Sequence, residues 1–444
     1  MSFFEITGGR HLSGSIAAHG AKNSVLPILA ASILARGQSV IENCPRLSDV
    51  DATVDILRQL GCRVERQDDV LTVDAACVQG GTVPGELMGR MRSSVIFLGA
   101  ILARTGQAQM THPGGCELGP RPIDLHLQAL RALGVRVQEE DGVLSCSVPD
   151  GLRAGQVRLP FPSVGATENA MIAACGARGI SVITGAAREP EIEDLQRFLN
   201  AMGARVRGAG TSVITVQGSD RLHGANHRVM GDRIVAATYL AAAAAAGGQV
   251  EVTGVQPEHL TGVLDVLARA GCRIRVAPSA VCLTGTGRLG GVSGVITTAP
   301  YPGFPTDAQA PVMAALACGE GVSRFQENIF QSRYRHVSEL ARMGADIRLT
   351  GRMAEVWGTN LHGACVDSTD LRGGAALVVA ALAARGVSRV GEIHHIDRGY
   401  ERLEESFARL GGQIERRDDR RSANGCKKEQ AQTVQKKRTL RLPL

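Results

Sequence analysis

Aromatic residues are scarce in this chain, with one Trp, four Tyr and nine Phe among 444 residues. Its cores must therefore be built from Ala, Val, Leu and Ile, and small Ala side chains let helices pack at short range. A Cys-x-x-Cys pair is also absent. The eleven cysteines, at 44, 62, 77, 116, 146, 175, 272, 282, 318, 365 and 426, follow no zinc-ligand spacing or disulfide framework, which speaks for a reducing compartment. The longest apolar run, Ile234 to Ala246, is interrupted by Thr238 and is too short to span a bilayer. The opening Met1-Ser2-Phe3-Phe4-Glu5 has neither the basic nor the apolar region of a signal peptide. Together these absences predict a cytoplasmic protein with no membrane partner.

Most of the chain also lacks any excess charge. The net charge is +6, and residues 415–444 hold ten Lys/Arg against four Asp/Glu, so the excess lies there and residues 1–414 are neutral. The stretch from Arg416-Arg417-Asp418-Asp419-Arg420-Arg421 to Lys436-Lys437-Arg438 has almost no apolar periodicity and reads as disordered. A solvated appendage explains it, a nucleic-acid contact less well. No nucleic-acid partner is expected.

What the chain does have is a repeat. An apolar helix end, a Gly and an alternating strand start recur six times: Leu57-Arg-Gln-Leu60-Gly61-Cys-Arg-Val64, Leu130-Arg-Ala-Leu133-Gly134-Val-Arg-Val137, Leu199-Asn-Ala-Met202-Gly203-Ala-Arg-Val206, Leu267-Ala-Arg-Ala270-Gly271-Cys-Arg-Ile274, Leu340-Ala-Arg-Met343-Gly344-Ala-Asp-Ile347 and Phe407-Ala-Arg-Leu410-Gly411-Gly-Gln-Ile414. The glycines stand 67 to 73 residues apart. Each is expected to end a helix in the left-handed conformation. Each unit also carries an Ala-rich helix: Val25 to Leu34, Ser94 to Leu102, Ala166 to Ala174, Arg233 to Ala246, Gln309 to Leu316 and Gly374 to Ala384. Helices apolar on nearly every side must be surrounded by other structure.

The length allows two domains, and six units divide into two sets of three, with one group of helices buried under strands and another at the surface. Periodicity breaks at Leu222 to Met230, around His223-Gly224-Ala225-Asn226-His227. The expected division is a first domain at 22–229, a second made of 1–21 plus 230–416, and a basic tail at 417–444. The chain then crosses twice between domains, and the substrate cleft belongs at the crossings.

Several stretches carry chemistry. Gly114-Gly115-Cys116-Glu117-Leu118-Gly119-Pro120-Arg121-Pro122-Ile123-Asp124-Leu125-His126 sets a thiol in a Gly/Pro-dense loop before a helix. Arg121 would favour its thiolate, or the residue is an ordinary free Cys on a surface loop. Gly20-Ala21-Lys22-Asn23-Ser24 precedes an apolar helix, with Ser24 as the expected N-cap, and Lys22 is either a solvated cation or one half of an anion site with the helix N-H groups. Arg90-Met91-Arg92 stands at the next helix start, where cations oppose the macrodipole unless an anion is bound. Phe161-Pro162-Ser163-Val164-Gly165-Ala166-Thr167-Glu168-Asn169 offers backbone N-H groups to a ligand, or simply caps a helix. Asp307, after Tyr301-Pro302-Gly303-Phe304-Pro305-Thr306, is an N-cap or a general base. Arg333, Arg335 and His336, Asp370-Leu371-Arg372, and Asp397-Arg398 complete a set of turn arginines suited to a ligand with more than one anionic group.

GAKNSVLPILAASIL, MRSSVIFLGAILAR, PGGCELGPRPIDLHL, PSVGATENAMIAA, AAREPEIEDL, YPGFPTDAQA, SRYRHVSELARMGADI, TDLRGGAALVVAA and HHIDRGYERLEE resemble the UDP-N-acetylglucosamine 1-carboxyvinyltransferases of the enolpyruvyl transferase family. The resemblance covers residues 3 to 416. It implies an α/β fold, a two-domain inside-out α/β barrel built from six βαβαββ-type repeats, three per domain. It implies an enzyme that moves the enolpyruvyl group of phosphoenolpyruvate to the 3-hydroxyl of UDP-N-acetylglucosamine and releases phosphate, the first committed step of peptidoglycan biosynthesis. Roles in cell wall biogenesis, cell shape, cell division and the cell cycle follow from it. Neither cofactor nor metal is implied.

The resemblance assigns Cys116 as a proton donor able to form a covalent pyruvate adduct. It sets Lys22, Asn23, Arg121 and Arg398 near the phosphoenolpyruvate anions. Arg92, the run Arg121, Pro122, Ile123, Asp124 and Leu125, then Ser163, Val164, Gly165, Asp307 and Ile329 are assigned to the nucleotide sugar, with Asp307 also the candidate base. Arg333, Asp370 and Arg372 are expected to line the same cleft. His19 stands where the family usually has a small Ser, and Phe161-Pro162 where some members have Lys. The alternatives are an enzyme acting on shikimate 3-phosphate, disfavoured by the Cys loop, and a non-catalytic nucleotide-sugar-binding paralogue with a regulatory tail.

Overall fold

The computed structural model describes residues 2–114 and 123–418. Cys116, Arg121, Pro122 and the chain beyond Asp418 lie outside the described residues.

All six repeat glycines take positive φ, 96° at Gly61, 92° at Gly134, 94° at Gly203, 103° at Gly271, 95° at Gly344 and 89° at Gly411. In every case the N-H of the following residue donates to the carbonyl five residues back: Cys62 to Leu57, Val135 to Leu130, Ala204 to Leu199, Cys272 to Leu267, Ala345 to Leu340 and Gly412 to Phe407, at 2.8 to 3.2 Å. This closure satisfies an orphan helix carbonyl and turns the chain into a strand.

The described residues form six four-stranded sheets of one pattern. In the second unit Thr82–Val83 runs parallel to Gln107–Thr111, which is antiparallel to Val143–Ser147, itself antiparallel to Arg136–Glu140. Helix Phe97–Thr105 joins the first two strands and helix Asp124–Ala132 precedes the last pair. That is the βαβαββ order.

The two sets are completed by distant segments. Asn226–Arg228 pairs with Gln38–Glu42 to close the first set. Leu12–Ala17 pairs with Gly248–Thr253, and Ser2–Thr7 lies between Val387–Gly391 and Gln413–Asp418, so the N-terminal strands belong with the second. The chain therefore crosses twice, and the crossings lie side by side. Gly20 bridges Gly231, Ala21 N donates to Met230 O at 2.7 Å, and Asp232 N donates to His19 O at 2.8 Å.

Burial separates the same two sets. One apolar core runs from Val25 to Val229, and the other joins Phe4, Ile6, Leu12, Ile16 and Ala18 to residues from Val235 to Ile414. Helices Lys22–Ala31, Phe97–Thr105 and Val164–Cys175 fill the first, and Arg233–Ala246, Thr306–Ala317 and Leu371–Ala383 fill the second. All residues of Arg233–Ala246 are buried, as an all-round apolar helix requires. Outer helices are amphipathic: Pro190–Ala201 buries Ile192, Leu195, Phe198 and Leu199 and leaves its other face to solvent.

Four local expectations need correction. Ser24 is not an N-cap: the helix starts at Lys22, whose N-H donates to Asp232 Oδ2 across the crossing, while the Ser24 hydroxyl is buried and donates to Asp194. Asp307 is not an N-cap either, since Pro305 holds that position and the Asp307 carboxylate is drawn to two arginines. Asp370 and Arg372 are not in a loop, because Asp370 caps helix Leu371–Ala383 by accepting from the N-H groups of Arg372 and Gly373, both at 3.0 Å. Arg416, Arg417 and Asp418 are strand, not tail. Arg416 pairs with Asp397 and Glu404, and Arg417 with Glu5, which fixes residues that composition alone reads as solvated.

Candidate active site

A cleft of about 810 Å³ lies where residues of both cores meet. Lys22, Asn23, Arg92, Ser163, Val164, Gly165, Asp307, Ile329, Arg333, Asp370, Arg372 and Arg398 all line it. Among the described residues Ile123, Asp124 and Leu125 do not. Ile123 is buried in the first core, Leu125 packs against that core and Asp124 is exposed, whereas His126, the next residue, does line the cleft.

Lys22 reaches the cleft from a helix start at one crossing. Its Nζ lies 2.7 Å from Asp49 Oδ2, and both side chains are almost fully buried. Arg398, from the turn Ile393–Arg398 of the second set, closes on the same carboxylate, Nε to Oδ1 at 2.9 Å and Nη2 to Oδ2 at 3.3 Å. Burial pushes the Lys22 ammonium below its ordinary value, against the pull of Asp49, and Arg398 and Arg372 push it the same way. For Asp49 burial acts upward, but Lys22 and Arg398 prevail and hold the carboxyl below the usual range.

A second carboxylate is held between two buried guanidinium groups. Asp307 Oδ1 accepts from Arg333 Nη2 at 2.8 Å, and Oδ2 from Arg372 Nη2 at 3.2 Å. Arg333 is anchored by Thr306 O, which accepts from its Nε and Nη2 at 3.1 and 2.7 Å. Arg372 lies 5.3 Å from the Tyr400 ring centroid, and its Nε and Nη1 have no hydrogen-bond partner among the described residues. Thus Asp307 stays partly open to the cleft while its cations are 2% exposed. Such oriented donors suit an anionic ligand.

On the first set, Ser163 caps helix Val164–Cys175 by accepting from Ala166 N, and the helix start, with Ser163, Val164 and Gly165, borders the cleft. His126 sits against this helix start, its Nδ1 3.1 Å from Asn169 Nδ2. Burial, then the Arg92 charge, lowers its pKa to about 4, so the ring is neutral at pH 7. A Cβ on Gly165 would lie 3.0 Å from His126 Cε1, so any larger residue there has to displace the imidazole. Arg92 opens the turn Arg92–Ile96 and its Nη1 donates to Pro113 O at 3.3 Å.

Sequence reasoning missed the acidic side of the cleft. Asp49, Glu168, Glu189 and Glu191 all line it. Burial, then Glu191 and Glu189, raises Glu168 well above the carboxylate range, and burial raises Glu189, whose Oε1 accepts from Tyr301 N at 3.2 Å. A signal for Asp49 does exist. It falls on the stripe Asp49, Ala52, Thr53, Ile56, Leu60 of an otherwise amphipathic helix, an acid on the face that has to be buried.

A family model described as EPSP synthase (3-phosphoshikimate 1-carboxyvinyltransferase) matches residues 6–407. UDP-N-acetylglucosamine 1-carboxyvinyltransferase 2 of Caldanaerobacter subterraneus is 47% identical, over 94% of this chain and 100% of the relative. UDP-N-acetylglucosamine 1-carboxyvinyltransferase 1 of Symbiobacterium thermophilum is 48% identical, over 93% and 95%. Among solved structures, the enolpyruvyl transferase NikO from Streptomyces tendae superposes with a TM-score of 0.84 at 25% identity, covering 94% of this chain and 98% of that one. EPSP synthase from Acinetobacter baumannii, at 21% identity and a TM-score of 0.72 over 94% and 100%, shares the fold. The chain belongs to the EPSP synthase (3-phosphoshikimate 1-carboxyvinyltransferase) family, and within it to the UDP-N-acetylglucosamine 1-carboxyvinyltransferases.

Proposed function

We propose that the cleft transfers the enolpyruvyl group of phosphoenolpyruvate to the 3-hydroxyl of UDP-N-acetylglucosamine, with release of phosphate, in the cytoplasm as the entry reaction of peptidoglycan synthesis. The observation that carries this reading is the convergence, from both cores, of Lys22, Arg398, Arg333 and Arg372 on a space that also holds the half-open Asp307 carboxylate. A phosphate and a carboxylate on one small substrate, plus a nucleotide diphosphate, need several fixed cations. A hydroxyl nucleophile needs a base.

The chemistry is addition followed by elimination. A proton added to C3 of phosphoenolpyruvate leaves an oxocarbenium-like C2, and the acceptor hydroxyl attacks that carbon while losing its proton. The resulting methyl group then gives up a proton as the C2-O bond to phosphate breaks, which regenerates the double bond in the product. Lys22 and Arg398 stabilise the anions of phosphoenolpyruvate and of the leaving phosphate. Asp307 takes the hydroxyl proton, and Arg333 and Arg372 fix the orientation of its carboxylate. The N-H groups at Val164 and Gly165 face the diphosphate, and Arg92 adds a charge beside them. Cys116 is assigned the proton for C3. Glu168 and Glu189, whose carboxyls burial raises, border the same space.

The test is release of inorganic phosphate from phosphoenolpyruvate by the full chain, with UDP-N-acetylglucosamine or shikimate 3-phosphate as acceptor. Phosphate is expected with the nucleotide sugar alone, and its loss in Cys116→Ala. Release with shikimate 3-phosphate alone, or none with either, would overturn the reading.

A further inference from the structure

Two cations assigned to the same small anion repel each other, and one of them is buried. Lys22 is 8% exposed and Arg398 approaches it from the other core, yet the two are held together because both touch Asp49. Asp49 is itself 3% exposed and takes Lys22 on Oδ2 and Arg398 on both oxygens. Its helix, Ser48–Gln59, otherwise presents Asp51 to solvent and Asp55 to Arg90, so the other acids of the helix serve the surface.

We propose that Asp49 is a positioning residue for the reaction: its carboxylate holds Lys22 of one core and Arg398 of the other as a preassembled pair that receives the anionic groups of phosphoenolpyruvate. The inference rests on the assignment of Lys22 and Arg398 to that substrate. Two positive charges around one negative leave a net positive charge for the incoming anion, and the shared carboxylate sets the distance between the two donors. An open cleft without it would have to bring the donors together only after substrate arrived.

Asp49 also sustains the charge on Lys22. Burial favours loss of the Lys22 proton, Arg398 and Arg372 add to that, and Asp49 opposes all three. Several other charged groups on elements packed around the Lys22 helix are engaged elsewhere or serve its backbone, while Glu193 and Asp51 face outward. Asp232 accepts from Lys22 N, Glu191 pairs with Arg233, and Asp194 pairs with Arg197 and His227. Arg92 and Glu168 border the cleft from the helix starts beyond. Removing the Asp49 charge therefore lowers the Lys22 pKa further, and activity that needs the ammonium is lost at lower pH as pH rises.

The experiment compares wild type, Asp49→Asn and Asp49→Glu in steady-state phosphate release across pH, varying each substrate in turn. For Asp49→Asn, kcat/KM for phosphoenolpyruvate at alkaline pH is expected to fall about tenfold or more, one pK unit of displacement, with the alkaline limb moved to lower pH. Thermal protection by UDP-N-acetylglucosamine should survive, which shows a folded protein. Asp49→Glu, which keeps the charge, should keep the limb at its wild-type position even if kcat falls. In a Lys22→Arg background, where the cation cannot titrate, Asp49→Asn should move no alkaline limb. An unshifted limb in folded Asp49→Asn, a shifted limb in Asp49→Glu, or equal losses toward both substrates at every pH would overturn the role. Wild-type protein that releases no phosphate would sink the underlying assignment instead.

Discussion

Glu191 and Arg233 form a bidentate pair, Oε1 to Nε at 2.9 Å and Oε2 to Nη2 at 3.2 Å, joining the outer helix of the third unit to the inner helix of the fourth. Both side chains are buried. The pair ties the two cores together one residue past the place where Asp232 receives the Lys22 N-H. Removing one partner strands the other charge. Glu191→Gln is expected to destabilise the protein by about 3 kcal/mol, and combining it with Arg233→Met should recover part of the loss. Urea unfolding of wild type and the two variants measures this, and a Glu191→Gln protein as stable as wild type would contradict it.

Asp307 accepts from two buried arginines and still borders the cleft, so an amide of the same shape tests its chemistry. Asp307→Asn is expected to lower kcat by about 10²- to 10⁴-fold, the usual scale of general acid-base assistance. The KM for UDP-N-acetylglucosamine should change much less. Initial rates at saturating phosphoenolpyruvate check the split, and a wild-type kcat would remove Asp307 from the reaction.

The repeat glycines allow a test of backbone strain alone. At Gly271, with φ of 103°, an added Cβ meets nothing within 4 Å, so no packing change confuses the result. Gly271→Ala is expected to cost about 1 to 2 kcal/mol from the left-handed backbone. Chemical denaturation reads it, and an unchanged midpoint would mean the helix end relaxes freely.

Asp194 sets an acid limit on stability. Burial pushes its carboxyl up, but hydrogen bonds from His227, Ser24 and the Met230 N-H prevail and hold it below the usual range. A depressed native pKa stabilises the fold fully above the unfolded value, about 3.9, and that contribution disappears as pH falls through the native value. Asp194→Asn should therefore lower Tm at neutral pH and flatten the loss of Tm on acidification. A parallel displacement of the whole Tm-pH curve would contradict this.

Much of the fold is legible in the sequence because its signals are local. A glycine closing each outer helix is required by φ, and a helix such as Arg233–Ala246, apolar on every side, has only an interior to occupy. The site is legible where a residue is read at a helix start, as Lys22 and Ser163 are. It is obscured where partners come from another unit. Ser24 looks like a cap until Asp194 is brought to it, Glu191 looks like a surface acid of an amphipathic helix, and Arg416 looks like tail until Asp397 and Glu404 surround it. Each depends on a contact more than a dozen residues away or on a face that only packing defines.

The central claim is that this cleft joins an enolpyruvyl group to a nucleotide sugar, and mass analysis of the UDP-sugar pool after incubation with phosphoenolpyruvate tests it most directly. The prediction is one enolpyruvyl ether on the 3-oxygen for each phosphate released. Phosphate release that leaves UDP-N-acetylglucosamine unmodified would contradict it.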